Sequence, residues 1–303
     1  MLRSTLLKLS QSPRFAKWVT TNGTTRRMAR RFVAGETLEE AIAAARACNQ
    51  AGMAASLDYL GENCTTTADA QRARDAYLEI FERIHQEDLN ANVSCKLTQL
   101  GLDLNVDFCQ GLVVSIVETA ARYDNFLRVD MEGSLYTQRT IDLVKNVRSR
   151  NPAVGTVIQS YLYRSETDVQ DLLAYGCRMR LCKGAYKESA EVAFPQKKDV
   201  DFNYVRLMKM LLPSGFYHGI ATHDPRMIAE TIRWAAAKQI SKDDFEFQML
   251  YGVRTDLQRQ LVRDGYRLRV YIPYGNDWFP YFMRRLAERP ANLAFILRNF
   301  FRA

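Results

Sequence analysis

Short apolar runs alternate with amphipathic stretches along most of this chain, and this alternation constrains the fold more than any other feature. Stretches with helical periodicity, such as residues 67–86, 108–123, 138–148 and 225–238, separate most of the strand-like runs. Eight β–α alternations in about 250 residues predict a closed (β/α)8 barrel of the TIM type, with helices before it. The eight strand-like runs are MAASLDYLG, ANVSCKLTQLG, FLRVDMEG, VGTVIQSYL, CRMRLCKGAY, FYHGIATHD, FEFQMLYG and YRLRVYIPYG.

A doubly wound open sheet is the alternative for such an alternation. That fold would place a glycine-rich phosphate-binding turn after its first strand. No GxGxxG sequence occurs anywhere in the chain, so the barrel is favoured.

A helix is predicted before the first strand. The segment TLEEAIAAARACNQAG offers Thr37 as N-cap, the acids Glu39 and Glu40 in the first turn, and Gly52 as the end. We therefore expect two parts: an N-terminal helical arm over residues 1–50 and the barrel over residues 51–303.

The net charge of +8 is confined to the N-terminus. Residues 1–35 contain eight basic side chains and no acid, whereas the rest of the chain holds 34 basic and 34 acidic residues. Such a segment is typical of contact with an anionic membrane, of a nucleic-acid arm or of a mitochondrial targeting sequence. Its leucines and aromatic residues favour an interfacial helix over a nucleic-acid arm. A helix packed on the domain, with its basic groups in water, stays open as the alternative.

Composition excludes several other classes of protein. The longest apolar runs are too short to cross a bilayer, so this is not an integral membrane protein. Six cysteines without a CxxC pair or a disulfide-framework spacing indicate reduced thiols in a cytosolic or matrix compartment. The three histidines show no HExxH or paired Cys/His spacing, so we expect no metal site.

Polar side chains are concentrated where the predicted strands end. Active sites in this fold lie at the C-terminal ends of the strands. Any one of these residues could be a solvated loop residue or part of an ion pair at the barrel mouth, but the whole set is hard to explain in that way. The set consists of Lys96, Asp130, Gln159, Arg180, Lys183, Tyr186, Thr222, His223, Gln248, Tyr251 and Tyr271.

Two adjacent arginines follow the eighth strand. Tyr271 and Ile272 are expected to end that strand and residues 273–276 to form a turn, after which Asp277 caps a helix that Pro290 stops. A solvated charged face with internal ion pairs is the alternative interpretation of this helix. Four of its residues share one face by their spacing: Tyr281, Arg284, Arg285 and Glu288.

The predicted mixture of charges suits a small zwitterion. Lys96 and the two arginines would bind a carboxylate, and Asp130 would face an ammonium group. Each such charge-assisted hydrogen bond contributes roughly 1.5–3 kcal/mol in a sheltered site. A metal-free site rich in phenols and poor in acid–base groups favours chemistry done by an organic cofactor over hydrolysis.

Several segments resemble the proline dehydrogenase family and the proline-oxidising barrel of the bifunctional proline utilisation flavoenzymes. They are SCKLTQLG, VDMEG, RLCKGAY, IATHD, FEFQMLYG and YIPYG followed by PYFMRRLAERPAN, in the same order as in the family. The resemblance implies a distorted (β/α)8 barrel that binds FAD noncovalently. It also implies oxidation of L-proline to Δ1-pyrroline-5-carboxylate, by hydride transfer to flavin N5, with the electrons passed to a membrane quinone.

The resemblance assigns substrate roles motif by motif. Arg284 and Arg285 resemble the pair that binds the proline carboxylate, and Lys96 would assist them. Asp130 matches the aspartate near the substrate nitrogen. Four further residues match those that hold the proline ring against the flavin in the family, and we count them as catalytic: Tyr186, Leu250, Tyr271 and Tyr281.

Cofactor roles follow in the same way. Glu288 resembles an acid on the last helix that contacts the cofactor or pairs with the arginines. Lys187 departs from the bifunctional members, which carry tryptophan after KGAY, and fits the monofunctional bacterial branch. The remaining residues that match cofactor contacts are Gln159, Arg180, Lys183, Gly184, Ala185, Tyr186, Thr222 and His223.

The resemblance also implies partners and a location. We expect a cytoplasmic enzyme that contacts the inner face of a bacterial membrane peripherally, with quinone as electron acceptor and no nucleic-acid partner. A separate pyrroline-5-carboxylate dehydrogenase is expected, because no aldehyde dehydrogenase domain follows Ala303. Two other classes stay open: a barrel aldolase or lyase that uses Lys183 or Lys96 as a Schiff base, and a basic helical protein that binds nucleic acid.

Overall fold

A closed barrel of eight parallel strands forms the centre of the molecule. The computed structural model describes Val19, Thr21 and residues 23–287. Each strand pairs with the next in sequence, and β8 closes the barrel on β1. The strands are β1 (Ala54–Tyr59), β2 (Ala91–Cys95), β3 (Leu127–Val129), β4 (Val154–Gln159), β5 (Met179–Cys182), β6 (His218–Ala221), β7 (Phe245–Leu250) and β8 (Leu268–Tyr274).

Helices precede the barrel, connect its strands and follow β8. Two of them, α1 (Gly23–Ala29) and α2 (Leu38–Gln50), come before β1. A short 3-10 helix, Leu212–Ser214, follows α7 directly. The helices after β1 are α3 (Thr67–Gln86), α4 (Val106–Arg122), α5 (Ser134–Arg148), α6 (Ser165–Ala174), α7 (Lys197–Leu211), α8 (Pro225–Ala237), α9 (Thr255–Arg263) and α10 (Trp278–Ala287). The predicted (β/α)8 barrel with N-terminal helices is therefore confirmed.

The caps of the helices explain where the predicted bounds hold and where they shift. Thr37 Oγ1 accepts a hydrogen bond from the amide of Glu40 at 3.3 Å, and the Glu40 carboxylate accepts one from the amide of Thr37, so α2 begins at the predicted residue. Helix α4 begins two residues earlier than predicted because Asn105 caps it, accepting from Phe108 N at 2.9 Å. Helix α5 begins at Ser134, directly after Gly133, and not at residue 138.

The turn predicted at residues 273–276 is wrong at its start, because β8 continues through Tyr274. Proline has no amide hydrogen, but the carbonyl of Pro273 accepts a hydrogen bond from Ala34 N at 2.9 Å, and Leu60 N donates to Tyr274 O at 2.8 Å. These bonds hold the C-terminal end of β8 against β1 and the segment before α2.

Helix α2 lies against the barrel. Its residues Ala41, Ile42 and Ala45 are part of the apolar core between strands and helices. The boundary proposed at residue 50 stays a prediction. Residues 1–18 of the basic segment lie outside the described residues, so the interpretations of that segment also stay predictions.

The lumen of the barrel is polar. Apolar side chains such as Leu57, Val93 and Leu127 point outward into the core beneath the helices. Arg180 crosses the lumen from β5 and donates from Nη2 to Ser94 Oγ at 2.9 Å. Branched apolar residues usually fill the lumen of this fold. Here buried polar residues replace them: Ser56, Ser94, Arg128, Arg180, Glu246 and Gln248.

All six cysteines are free thiols, as predicted. Among the described residues, no helix combines the length and the apolar character that a membrane-spanning segment needs.

Candidate active site

Lys96 and Asp58 form a buried ion pair at the ends of β1 and β2. Lys96 Nζ lies 3.0 and 3.2 Å from the two carboxylate oxygens of Asp58, and both residues are under a tenth exposed. Burial alone would lower the pKa of Lys96, but the carboxylates of Asp58, Asp130 and Glu62 outweigh burial and raise it. The ammonium group is therefore firmly protonated.

This protonation has a consequence for the Schiff-base alternative. Only an unprotonated lysine attacks a carbonyl group. The charged, paired Lys96 is unsuited to that role. Lys183 is also bound by two carboxylates, those of Asp201 and Asp224, the second at 2.9 Å. The environments of both lysines disfavour an aldolase or lyase.

Asp130 is the centre of a hydrogen-bond network after β3. Its Oδ1 accepts from Arg180 Nη1 at 2.6 Å and its Oδ2 from Tyr271 Oη at 2.7 Å. The guanidinium of Arg180 also lies over the Tyr271 ring, 5.0 Å from its centroid, and donates to Gln248 and Ser94. Burial, and then the charge of Asp130, raises the pKa of Tyr271, so its phenol stays a donor. The network fixes Asp130, Arg180 and Tyr271 against one another.

Arg284 extends from α10 toward the loop after β1. Its Nη2 and Nη1 donate to the two carboxylate oxygens of Glu62 at 2.8 and 3.4 Å, and both side chains are 24% exposed. Burial alone would lower the pKa of Arg284, but Glu62 outweighs it and raises the pKa. The guanidinium is thus held at the mouth of the barrel by a carboxylate.

The other predicted residues of α10 are only partly described. The ring of Tyr281 is buried beside Phe282, within a small apolar cluster that joins α10 to α1. The backbone of Arg285 is helical, but its side chain lies outside the described part, as does all of Glu288. The roles predicted for these two residues therefore stay predictions.

Several of the predicted residues lie near one another at this side of the mouth. Tyr186, in the loop after β5, is half-buried, and its pKa is raised by burial and then by Glu62 and Glu132. The positive charges of Lys96 and Arg284 lower the pKa of the same phenol, but by less. The structure therefore brings Lys96, Tyr186 and Arg284 within one electrostatic environment.

The ends of β4, β5 and β6 form the other side of the mouth. Gln159 is buried and donates from Nε2 to Glu132 O at 2.9 Å. Lys183 bridges Asp201 and Asp224; burial opposes ionisation of Asp224, but the hydrogen bond from Lys183 holds its pKa well below the usual range. Cationic and amide donors thus lie on adjacent strand ends.

The backbone conformation and the close packing on this side of the mouth require a glycine at position 184. Its φ of +110° is disfavoured for residues with a side chain, and a Cβ would lie 2.5 Å from the ring of Tyr161. Ala185, next in the chain, is exposed. The backbone after Lys183 therefore runs closely over an aromatic ring.

The ATHD segment connects β6 to β7. Thr222 donates from its amide to Gln248 O at 3.1 Å, and its hydroxyl oxygen accepts from Asp224 N at 3.1 Å. The amide of Leu250 donates to His223 Nε2 at 2.9 Å. His218, by contrast, is fully buried in β6 and accepts from Met179 N at 3.0 Å, so it is a packed, hydrogen-bonded histidine.

Several carboxylates at the mouth were not predicted, among them Asp58 and Glu62. Asp58 could have been found, because Ser56 and Asp58 alternate with the apolar Ala55 and Leu57 along β1, which places both polar groups in the lumen. Glu62 lies in a loop, where no periodicity points to its partner. Among the described residues, no cluster of three or more potential metal ligands is present.

Three predicted cations of the mouth each contact one carboxylate: Lys96 contacts Asp58, Arg180 contacts Asp130 and Arg284 contacts Glu62. Groups of both signs therefore lie side by side, and a ligand that carries both charges could form charge-assisted hydrogen bonds with each kind.

The chain is similar to known proteins over most of its length. The sequence model of the family described as proline dehydrogenase matches residues 41–298. Proline dehydrogenase 1 of Bacillus subtilis (strain 168) is 43% identical over 299 residues, covering 99% of both chains. The proline dehydrogenase of Deinococcus radiodurans is 43% identical over 277 residues, covering 90% of this chain and 89% of that protein.

A solved structure gives the same result for the fold. The crystal structure of proline utilization A (PutA) from Bdellovibrio bacteriovorus, inactivated by N-propargylglycine, matches with a TM-score of 0.81 and 26% identity. The match covers 86% of this chain and 32% of that much longer one. The chain belongs to the proline dehydrogenase family, whose members oxidise proline in its catabolism.

Proposed function

We propose that this protein oxidises L-proline to Δ1-pyrroline-5-carboxylate at the mouth of the barrel, with FAD as cofactor and a membrane quinone as final acceptor. One observation carries the proposal. Arg284 already binds a carboxylate, that of Glu62, through two guanidinium nitrogens. The carboxylate of proline would be bound by the same planar fork once it replaces Glu62.

The neighbours of Arg284 suit the rest of the substrate. Arg285 follows it on the same helix and is proposed to share the carboxylate, with Lys96 contributing positive charge from β2. Asp130 offers a carboxylate to the amine. The ring of proline would lie among the apolar and phenolic side chains proposed for it: Tyr186, Leu250, Tyr271 and Tyr281.

The residues on the other side of the mouth fit a flavin dinucleotide. Its pyrophosphate is anionic, and Lys183 and Arg180 are cationic donors at the end of β5; Gln159 adds an amide. The glycine at position 184 leaves space over Tyr161 that any Cβ would fill. Residues 185, 186, 222 and 223 are proposed as further contacts, and Glu288 as a contact from the last helix.

In the reaction, the C5–H bond of proline breaks with its electron pair, a C5–N double bond forms, and the amine loses a proton. FAD, when bound, supplies the acceptor for that hydride at its N5. The protein's residues bind and orient the substrate, and such positioning can contribute most of the acceleration. Lys96 is excluded as the proton acceptor because its pKa is raised. The amine proton goes to Asp130 or to water.

The experiment that tests this function is a stoichiometric assay. Purified protein supplied with L-proline and a soluble quinone analogue should consume one quinone for each pyrroline-5-carboxylate formed, and D-proline should give neither. Formation of product without quinone consumption would contradict the quinone as acceptor. Absence of product with any acceptor would contradict proline oxidation itself.

The basic N-terminus is proposed as the membrane contact. Residues 1–35 combine eight basic side chains with leucines and aromatic residues, which suits an anionic bilayer surface. The full chain should therefore co-sediment with anionic vesicles more than a chain that lacks residues 1–35. Equal co-sedimentation would leave only a helix packed on the domain.

A separate pyrroline-5-carboxylate dehydrogenase is proposed to consume the product.

A further inference from the structure

A cavity lies at the opposite end of the barrel from the active site. It opens at the N-terminal ends of β2, β3, β4, β5 and β8 and has a volume of about 850 Å³. Sites for small molecules commonly have volumes of this order. We call it the floor cleft and define it by six of its lining residues: Asn90, Asn92, Phe126, Arg148, Arg178 and Arg269.

Arg178 is the unusual residue of the floor cleft. Its guanidinium lies over the ring of Phe126, 4.3 Å from the centroid, and 5.2 Å from the centroid of Tyr217. Its Nε is buried and has no hydrogen-bond partner in the part of the chain that the structure describes. Arg269, by comparison, is paired with Glu246 at 2.7 Å. Arg178 is thus positioned by two aromatic rings, and it forms no ion pair with any described residue.

The charges around the floor cleft do not balance among the described residues. Among the described residues that line it, four are arginines (Arg148, Arg150, Arg178 and Arg269) and two are aspartates (Asp88 and Asp124), so positive charge is in excess. Burial, and then Arg180 and Arg178, lowers the pKa of Arg128 to about 9. Buried like charges without counter-charges are costly. A bound anion would offset that cost.

The barrel is shaped to admit these arginines. Gly155 on β4 has no side chain where a Cβ would lie 2.1 Å from Arg178 O, 2.7 Å from the Phe126 ring and 3.0 Å from Arg128 Nη1.

We propose that the floor cleft binds an oxyanion, the phosphoryl or carboxylate group of a small molecule, with Arg178 as the anchoring cation. The planar fork of arginine suits both kinds of oxyanion. The volume of the cleft leaves room for the rest of the molecule beyond the oxyanion. The ligand would act apart from the oxidation chemistry, because the cleft lies at the far end of the strands.

The test uses the holoenzyme with inorganic phosphate and acetate as probes. Each probe is titrated in the millimolar range, with chloride keeping the ionic strength constant, and binding is followed by calorimetry and by Tm. We expect a saturable heat and a saturable rise in Tm for at least one probe, because a ligand that binds only the folded state stabilises it. The stronger probe shows whether the cleft prefers phosphoryl or carboxylate.

Three variants locate the binding. Arg178→Gln should abolish both signals for phosphate, and for acetate once Arg284→Met has removed binding at the active site, while leaving the rate of proline oxidation unchanged. Arg150→Gln, at the exposed rim of the same cleft, is the matched control and should retain them. Arg284→Met should also retain them, which separates the cleft from the anion-binding groups of the active site.

Two results would overturn the proposal. One is the absence of saturable heat in the unaltered holoenzyme with either probe, which needs no variant to fold. The other is an equal response in Arg178→Gln and in the unaltered protein. Either would mean that Arg178 has a packing role only, stacked between its two rings.

Discussion

Among single residues, Lys96 shows how strongly partners decide what a side chain can do. Its position at the end of β2 made it a candidate for carboxylate binding and also for a Schiff base. The buried carboxylate of Asp58 keeps it charged, which suits electrostatic binding and prevents nucleophilic attack. The sequence carries the lysine and its strand, but the choice between the two roles depends on Asp58, from a different strand.

Removal of Asp58 tests this pair. Asp58→Asn would leave the Lys96 ammonium buried without its counter-charge, and we expect the free energy of unfolding to fall by about 3–5 kcal/mol. Denaturant unfolding of the holoenzyme measures it. The double variant Asp58→Asn with Lys96→Met should recover most of the loss. A loss of less than about 1 kcal/mol in the single variant would contradict the pair's importance.

Tyr271 is expected to set the specificity for the substrate ring. Its side chain is half-buried and its phenol donates to Asp130, which holds the ring in place against a larger substrate. Tyr271→Ser should therefore raise kcat/KM for 4-hydroxyproline relative to proline, because a hydroxyl on C4 would no longer be crowded. Tyr251→Ser, at the neighbouring strand end, is the control. An unaltered ratio of the two kcat/KM values in Tyr271→Ser would count against the steric argument.

Among elements, the loop that follows β5 depends most on backbone geometry. KGAY was recognised as a motif, and the structure gives a physical reason for its glycine: a left-handed φ and a close approach to Tyr161. Nothing in the pattern of apolar residues predicts that approach, because Tyr161 belongs to the loop after β4. The start of α2 shows the opposite. The N-cap residue Thr37 is a local feature of the sequence, and it is sufficient to predict where α2 begins.

Replacement of Gly184 tests the role of that loop. Gly184→Ala adds a Cβ that must displace Tyr161, so we expect the purified variant to retain less flavin per mole of protein than the unaltered enzyme. Gly215→Ala is a matched control, because Gly215 has a φ of +80° but no atom within 4 Å of its Cβ position. It shares the backbone strain without the clash. Equal flavin content in the two variants would show that the clash is unimportant.

At the scale of the whole molecule, the polar lumen distinguishes this barrel from one filled with branched apolar residues. The eight-strand architecture was predictable, since apolar periodicity decides which residues face the helices. The ion pairs and hydrogen bonds inside the lumen were not, because residues such as Arg180 and Ser94 are distant in sequence and meet only when the barrel closes. The resemblance identified the strand-end residues, but neither Glu62 nor Arg178.

Because His218 is buried, we expect the stability of the folded protein to depend on pH in the acidic range. Burial, and then Arg128, lowers the pKa of its imidazole from 6.5 to about 3. The unfolded chain therefore binds a proton that the folded chain does not. The free energy of unfolding should decrease as the pH falls from about 6.5 toward 3, by up to about 1.4 kcal/mol per pH unit.

Two variants isolate that contribution. In His218→Asn, which keeps an acceptor for the amide of Met179, the slope of stability against pH below about 6.5 should be smaller than in the unaltered protein. His85→Gln, at an exposed position on α3, should keep the original slope. Identical slopes in all three proteins would show that His218 does not contribute.

The most direct test of the central claim, that Arg284 positions proline for oxidation by a bound flavin, is an anaerobic spectral titration. We expect the purified protein to be yellow and to lose its flavin absorbance when L-proline is added without oxygen. Arg284→Met should bind flavin equally well but require far more proline for the same bleaching. A colourless protein, or an Arg284→Met variant bleached at the same proline concentration as the unaltered enzyme, would contradict the account.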